Sequence, residues 1–332
     1  NQDEHPNDDY GHGTHVASII AEGTDNGLAG AGIAPAARIM PVKVCGRFPN
    51  QVQAYSCPVP SIVAGIEWAV EHGADIINVS IAAEDTKLSA AEETALDHAE
   101  GEGVLVVAAS GNGDNGVGDN RLWYPAAYGE VFSVGAVGHD SLRAGYSNWG
   151  AGEDAKLLDL VAPGGHATSL GVPQQSYEFC KMRIQTYSAV AALTQCWGTS
   201  MSAAHVSGVA ALVLSRFPTL STPEVRELLR CSAIDLGREG ADGYYGYGLV
   251  NAPAALEDAD FDNIPDCIDP VIEVPLNDCL PRTTPTLSEA APAGISTPTG
   301  DATEPPATLT PTAVPSEAAT SSPTPIGGTP TE

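Results

Sequence analysis

Along residues 1–256, apolar positions follow two alternating patterns. One is a short, nearly continuous run of aliphatic residues bounded by turn formers. The other places apolar residues three and four apart with polar residues between them. The runs predict strands over 38–44, 75–81, 104–109, 131–137 and 158–162. The helical spacing predicts helices over 11–20, 61–72, 88–101, 200–214 and 223–233. In the second helix Ile62, Ile66, Ala69 and Val70 share one side. Pro223 stands near the start of the last one, where a missing N–H costs nothing. The stretch Val104 to Ala109 is apolar throughout, as a strand covered on both faces must be. Alternation of this kind predicts an α/β fold, a doubly wound and mostly parallel sheet with helices on both faces.

The pattern stops near Leu256. Beyond it Asp258, Asp260, Asp262, Asp266 and Asp269 recur at short, regular intervals. Alternating oxygen ligands around a tight turn suit structural calcium, a hard cation that takes six to eight oxygens. Segment 257–280 therefore reads as an Asp-rich calcium-binding repeat that resembles the thrombospondin type 3 kind. The alternative is an acidic, solvated linker. Residues 281–332 are Thr, Pro, Ser and Ala with little to bury, which predicts a disordered stalk or linker open to O-glycosylation. The expected organisation is a domain over 1–256, the repeat, and the tail.

Charge and cysteine usage narrow the setting. The net charge is −28, from 42 acidic against 14 basic residues, and this removes nucleic acid as a partner because phosphate binding needs a basic face. No apolar run reaches the roughly 20 residues that cross a bilayer, so no membrane span is expected. The chain starts at Asn1 rather than Met and reads as a piece of a longer protein. Of seven cysteines, 45 with 57, 180 with 196 and 267 with 279 form local pairs suited to an oxidising compartment. Cys231 is left over, as a small buried helix residue. A secreted or extracellular protein follows, associated with a cell surface through its tail.

The candidate chemistry centres on Gly198-Thr199-Ser200-Met201-Ser202-Ala203-Ala204-His205-Val206-Ser207-Gly208. Ser200 sits where a buried helix begins, beside free N–H groups and the positive end of the helix dipole. It is either a nucleophile whose oxyanion forms next to ready donors or an ordinary capping serine. A hydroxyl nucleophile needs a base. His205 lies five residues on, roughly 140° around the helix, and so packs elsewhere. His12 opens a glycine-rich helix start, exposed and fixed, while His15 packs against its neighbours. A zinc pair from His12 and His15 lacks a third ligand. Asn112 ends the strand over 104–109 and is either an amide donor or a turn former. Asn78-Val79-Ser80 spells a glycosylation sequon inside a buried strand, which makes it structural.

Three segments together, Gly11 to Ala17, Ala109 to Asn112 and Gly198 to Gly208, closely resemble the subtilisin-like serine peptidases. So do Tyr124-Pro125-Ala126-Ala127-Tyr128, Val161 to Gly164 and Tyr245 to Asn251, in family order across about residues 10–256. The resemblance implies a serine endopeptidase acting through an acyl-enzyme, with Ser200 as nucleophile, His12 as general base and Asn112 as oxyanion donor. It implies substrate contacts at Ser80, Ala82, Ala109, Ser110, Gly111 and Trp123, with the substrate backbone added as a strand. It implies protein or peptide substrates, a propeptide in the longer protein, a monomer, and a loop around Asn26 like the family's calcium loop.

Departures from the family pattern carry their own expectations. The family's triad aspartate lies roughly thirty residues before the histidine, and only 11 residues precede His12, so the acid that orients the base is expected to be missing. A catalytically impaired pseudo-peptidase or peptide-binding module is the alternative. Ala204 replaces a usual Pro and Ala82 a frequent Gly. Trp123 falls where the floor of the primary specificity pocket is expected and would favour small side chains. An esterase of the α/β-hydrolase type fits less well, because Ser202 replaces its second glycine and the better histidine comes first.

Overall fold

The computed structural model describes residues 7–8, 10–27, 30–47, 55–84, 88–114, 116–150, 156–167, 171–176, 182–186, 192–258 and 264–269. Its centre is a four-stranded parallel sheet of β3 (Ile76–Val79), β4 (Leu105–Ala109), β5 (Phe132–Val137) and β6 (Leu160–Pro163), in that order. Val79 lies opposite Ala108, Ala109 opposite Val134, and Val134 opposite Leu160. An antiparallel pair of short strands, β1 (Gly46–Arg47) and β2 (Tyr55–Ser56), precedes the sheet.

Side-chain alternation explains the uniform apolarity of β4. Leu105, Val107 and Ala109 face a core completed by α4 (Thr199–Arg216) and α5 (Thr222–Cys231). Val104, Val106 and Ala108 face the opposite core, with Ile66 from α2 (Val59–Glu71) and Ala95, Leu96 and Ala99 from α3 (Ala90–Gly101). Helices therefore cover both faces, as the sequence predicts. Local signals set the helix starts. Ser89 and Glu92 close a reciprocal capping box on α3, and Ser221 and Glu224 do the same on α5.

Helix α1 (His12–Ala21) packs on α4 through Val16, Ile19, Met201 and Ala204. Ala204, buried completely, is accommodated in the helix in place of the family's proline. A second sheet, β7 (Val172–Ser176), β9 (Ala192–Cys196) and β8 (Met182–Thr186), is antiparallel and flanks α1. The sequence gives no warning of it, because Gln, Thr and Ser fill its strands instead of an apolar run. A short helix, α6 (Ala252–Ala255), closes the domain with Asn251 as its cap.

Two expectations are corrected. Residues 38–44 form no strand, and Ile39, Met40 and Val42 are exposed. Their pattern is that of a buried strand, but among the described residues nothing pairs with them, and β3 is hydrogen-bonded to β4 alone. The second concerns the disulfides. Cys267 bonds Cys231 rather than Cys279. Ile268 packs against the core that contains α5, and this brings Cys267 to the helix end with a Cα–Cα distance of 6.0 Å. The Cys45–Cys57 pair forms as expected and clamps the β1–β2 strand pair. Cys196 is also disulfide-bonded, to a partner outside the described residues. Among the described residues no helix is long and apolar enough to cross a membrane.

Candidate active site

The site lies at the carboxyl end of the parallel sheet, where β3 and β4 run into loops that meet the start of α4. Gly198 precedes the helix with φ +147, and a Cβ there would sit 3.4 Å from Asn112 Nδ2. Only glycine brings the chain so close to Asn112 without strain. Ser200 then falls in the first helical turn, where its N–H has no intrahelical acceptor.

Two sets of hydrogen bonds fix this turn. Asn112 Oδ1 accepts from Thr199 N and from Thr199 Oγ1, both at 2.9 Å. A backbone N–H can only donate, so the oxygen of the amide must face Thr199, and Nδ2 is turned the other way. Among the described residues no acceptor meets that Nδ2. The second set joins β3 to the helix. Ser80 Oγ donates to the Ser200 carbonyl at 2.9 Å, and Ser200 Oγ donates to the Ser80 carbonyl at 3.3 Å. Asn78 Nδ2 donates to Ser80 Oγ, and Ser207 Oγ donates to Asn78 Oδ1. Both ends of the Asn78 amide are thus used inside the domain, which agrees with its structural reading.

His12 is the first residue of α1 and is half-buried. Burial pushes its imidazole below the ordinary value, while the charge of Asp8 works in the other direction. Asp8 accepts from the N–H groups of Tyr10, Gly11 and Thr14 and from Thr14 Oγ1. Burial works against this carboxylate, but those bonds hold it below its usual range. Asp8 therefore acts as the cap of α1. The β7 strand adds support: Ser176 Oγ donates to the Gly11 carbonyl at 2.6 Å. His15 is fully buried, donates from Nε2 to the Val172 carbonyl at 3.2 Å, and is held by burial at a pKa of about 4. His205 bonds the Met201 carbonyl through Nδ1 at 2.8 Å. Both are packed histidines, as expected.

The remaining substrate candidates form two neighbouring edges. Ala82 and Ser80 lie just beyond β3, and Ala83 pairs with Tyr124. Ala109 ends β4 with its side chain in the core, and Ser110 is buried, its N–H on Val134 and its carbonyl accepting from Trp123 N. Gly111 N donates to Thr199 Oγ1 at 3.3 Å. Trp123 packs over Gly111.

The Asp-rich stretch is only partly described. Asp258 is buried and binds Arg216 Nη2 through Oδ2 at 2.6 Å, while its buried Oδ1 has no hydrogen-bond partner among the described residues. That orphaned oxygen suits a cation. Asp260 and Asp262 lie outside the described residues. Among the described residues no three His, Cys, Asp or Glu side chains converge on one metal position.

Several contributors carry no sequence signal. Thr199 sets the Asn112 amide, and Tyr146 OH lies between the carbonyls of Gly164 (2.8 Å) and Gly165 (2.7 Å) while accepting from Gly198 N (3.1 Å). Asn148 backs Gly111. All three act across long sequence separations. Asp8 is the exception, since an Asp three residues before a glycine-led helix start is a legible capping signal.

Residues 1–248 match the Subtilase family, Peptidase_S8. The chain belongs to that family. It is 38% identical over 250 residues to Subtilisin DY of Bacillus licheniformis, which covers 75% of this chain and 79% of that protein. It is 40% identical over 248 residues to M-protease of Shouchella clausii (strain KSM-K16), covering 75% of this chain and 55% of the relative, so it spans about half of that protein's length. Among solved structures, a protease from Pseudoalteromonas arctica PAMC 21717 superposes with a TM-score of 0.62 at 30% identity, over 74% of this chain and 70% of that one. The subtilisins are serine endopeptidases, and this subtilase shares their α/β architecture.

Proposed function

We propose that this subtilase hydrolyses peptide bonds in proteins through an acyl-enzyme formed on Ser200. The observation that carries the reading is the double hydrogen bond from Thr199 to Asn112 Oδ1, which turns an amide donor away from Thr199 beside the helix turn that holds Ser200. The Ser200 hydroxyl leaves the Ser80 carbonyl, loses its proton to His12 and attacks the scissile carbonyl. Asn112 Nδ2 and the Ser200 N–H receive the oxyanion. His12 gives the proton to the leaving amine, and water repeats the sequence to release the acid. A neutral imidazole is required, and burial of His12 favours that form.

Ser80, Ala82 and Gly111 border the extended substrate, with Ala109 and Ser110 setting their positions. Trp123 floors the first specificity pocket and favours short side chains. The protein works outside the cell, and a propeptide is among its partners. Asp258, Asp260, Asp262, Asp266 and Asp269 would hold calcium in the Asp-rich segment, and the ion would neutralise their mutual repulsion and brace the C-terminal end of the domain. Hydrolysis of an internally quenched peptide by the full chain, lost in Ser200→Ala and in His12→Ala, is the expected result. Turnover that persists in Ser200→Ala excludes the mechanism, and binding without turnover in the unaltered protein identifies a peptide-binding module instead.

A further inference from the structure

Residues 197 to 200 cross the carboxyl end of the parallel sheet from one side to the other. Gly198 N donates to the Gly164 carbonyl, just after β6, at 3.0 Å, and to Tyr146 OH, in the segment after β5, at 3.1 Å. Thr199 bonds Asn112, after β4, and Ser200 bonds Ser80, after β3. With the strands in the order β3, β4, β5, β6, the chain therefore approaches Ser200 from the β5–β6 side. Trp197 stands on that side, three positions before Ser200. Three trans peptide units span at most about 11 Å between Cα atoms, which keeps the indole close to the Ser200 hydroxyl.

Trp197 is held open to solvent. Before it, Cys196 is buried, disulfide-bonded and paired with Val172 across β9 and β7. After it, Gly198 is fixed by the two bonds just given. Side chains alternate along a strand, so with Cys196 turned inward Trp197 turns outward, and it stays 42% exposed. The ring packs on Tyr146 with the centroids 4.8 Å apart and the planes tilted by 41°. Tyr146 is itself buried, and its hydroxyl bonds the carbonyls of Gly164 and Gly165. A lone exposed aromatic side chain needs no explanation. Trp197 differs in being anchored from both chain directions and against a fixed ring, so it offers apolar surface at little further cost in conformational entropy.

We propose that Trp197 is a specificity-determining residue for the leaving half of the substrate, and that it selects a large apolar side chain, aromatic above all, at the first or second position after the scissile bond. The inference rests on the proposed function, which sets the acyl half against the Ser80 and Gly111 edges, after β3 and β4. The amine half then leaves over the β5–β6 side, where Trp197 lies. An extended peptide advances about 3.3 Å per residue, so its first two residues after the bond stay within about 7 Å of Ser200, in range of the indole. Aromatic pairs gain from offset or edge-to-face packing beyond the area they bury. An exposed ring of this kind rewards Phe, Tyr or Leu and gains nothing from Gly.

The test uses internally quenched peptides that are identical up to the scissile bond and carry Gly at both following positions, or Phe at one of them. The full chain is assayed for kcat/KM, and binding of the same peptides to the full-chain Ser200→Ala variant is measured by calorimetry. The better Phe peptide is expected to exceed the Gly peptide by about 5-fold or more in both. That ratio should fall to near 1 in Trp197→Ser and be largely kept in Trp197→Phe, which retains a ring at the same place. Each ratio compares two peptides on one protein, so a general loss of activity cancels. If Trp197→Ser does not fold, Trp197→Gln supplies the same comparison with more of the side-chain volume kept. A ratio near 1 in the unaltered protein, or one unchanged in the Ser or Gln variant, overturns the inference. Absent hydrolysis with the binding preference intact would instead defeat the proposed catalysis and leave the role of Trp197 standing.

Discussion

Thr199 holds Asn112 from two directions, with its N–H and its hydroxyl both 2.9 Å from the same side-chain oxygen. The amide cannot rotate without losing both bonds. Its donor is therefore in place before any charge develops, the condition under which such a group lowers a barrier most. Asn112→Leu should lower kcat by roughly 100- to 1,000-fold with little change in KM, the range seen when an oxyanion donor is removed from a subtilisin. Thr199→Val removes one of the two anchors and should cost less. Steady-state kinetics on both variants checks the order; an Asn112→Leu enzyme with unaltered kcat contradicts the role.

On the proposed mechanism the acid limb of activity reports His12. Burial lowers its pKa from 6.5, and the base must be neutral to accept a proton, so kcat/KM should rise with a midpoint below pH 6.5. Asp8 raises the pKa through its charge. Asp8→Asn should thus move the midpoint to still lower pH, while loosening the cap on α1. A pH–rate profile of the two proteins shows the shift and its direction.

How much of this was legible in the chain depends on how local each signal is. The β4 run and the capping-box residues Ser89 and Ser221 with their glutamates are contiguous signals that foretell the sheet and the helices, and the motifs around His12, Asn112 and Ser200 are equally local and mark the candidate site. The β7–β9 sheet was invisible because its strands are rich in Gln, Thr and Ser, which leave no apolar period. Residues 38–44 misled in the opposite way: their pattern is a strand's, but a strand exists only beside a partner. Cys231 looked self-contained on α5 because its partner, Cys267, is 36 residues away and only packing brings the two together.

Buried His15 should make the domain acid-sensitive. Its folded pKa is about 4 against 6.5 for the free side chain, so the unfolded chain binds the extra proton between those values. Stability contributed by the neutral ring is full above about pH 6.5, falls as pH drops toward 4 and is lost below it. The shift corresponds to about 3 kcal/mol. His15→Gln, which keeps a donor for the Val172 carbonyl, should flatten this part of the curve in urea unfolding measured from pH 7 to pH 4.

The C-terminal clasp should contribute to stability twice. Cys231 and Cys267 close a loop of 36 residues, for which chain entropy gives about 4 kcal/mol as an upper figure. Replacing both with Ser should lower Tm. Calcium at 100 times its Kd adds about 2.7 kcal/mol, so chelation with EDTA should lower Tm by several degrees in the disulfide-bonded protein. A Tm unchanged by EDTA counts against calcium at Asp258 to Asp269.

Whether Ser200 is the nucleophile can be read directly. The full chain is treated with a serine-directed fluorophosphonate, and the modified residue is located by mass spectrometry of its peptides. The account predicts one adduct, on Ser200, formed much more slowly in His12→Ala and absent in Ser200→Ala. An adduct elsewhere, or labelling that survives Ser200→Ala, would contradict it.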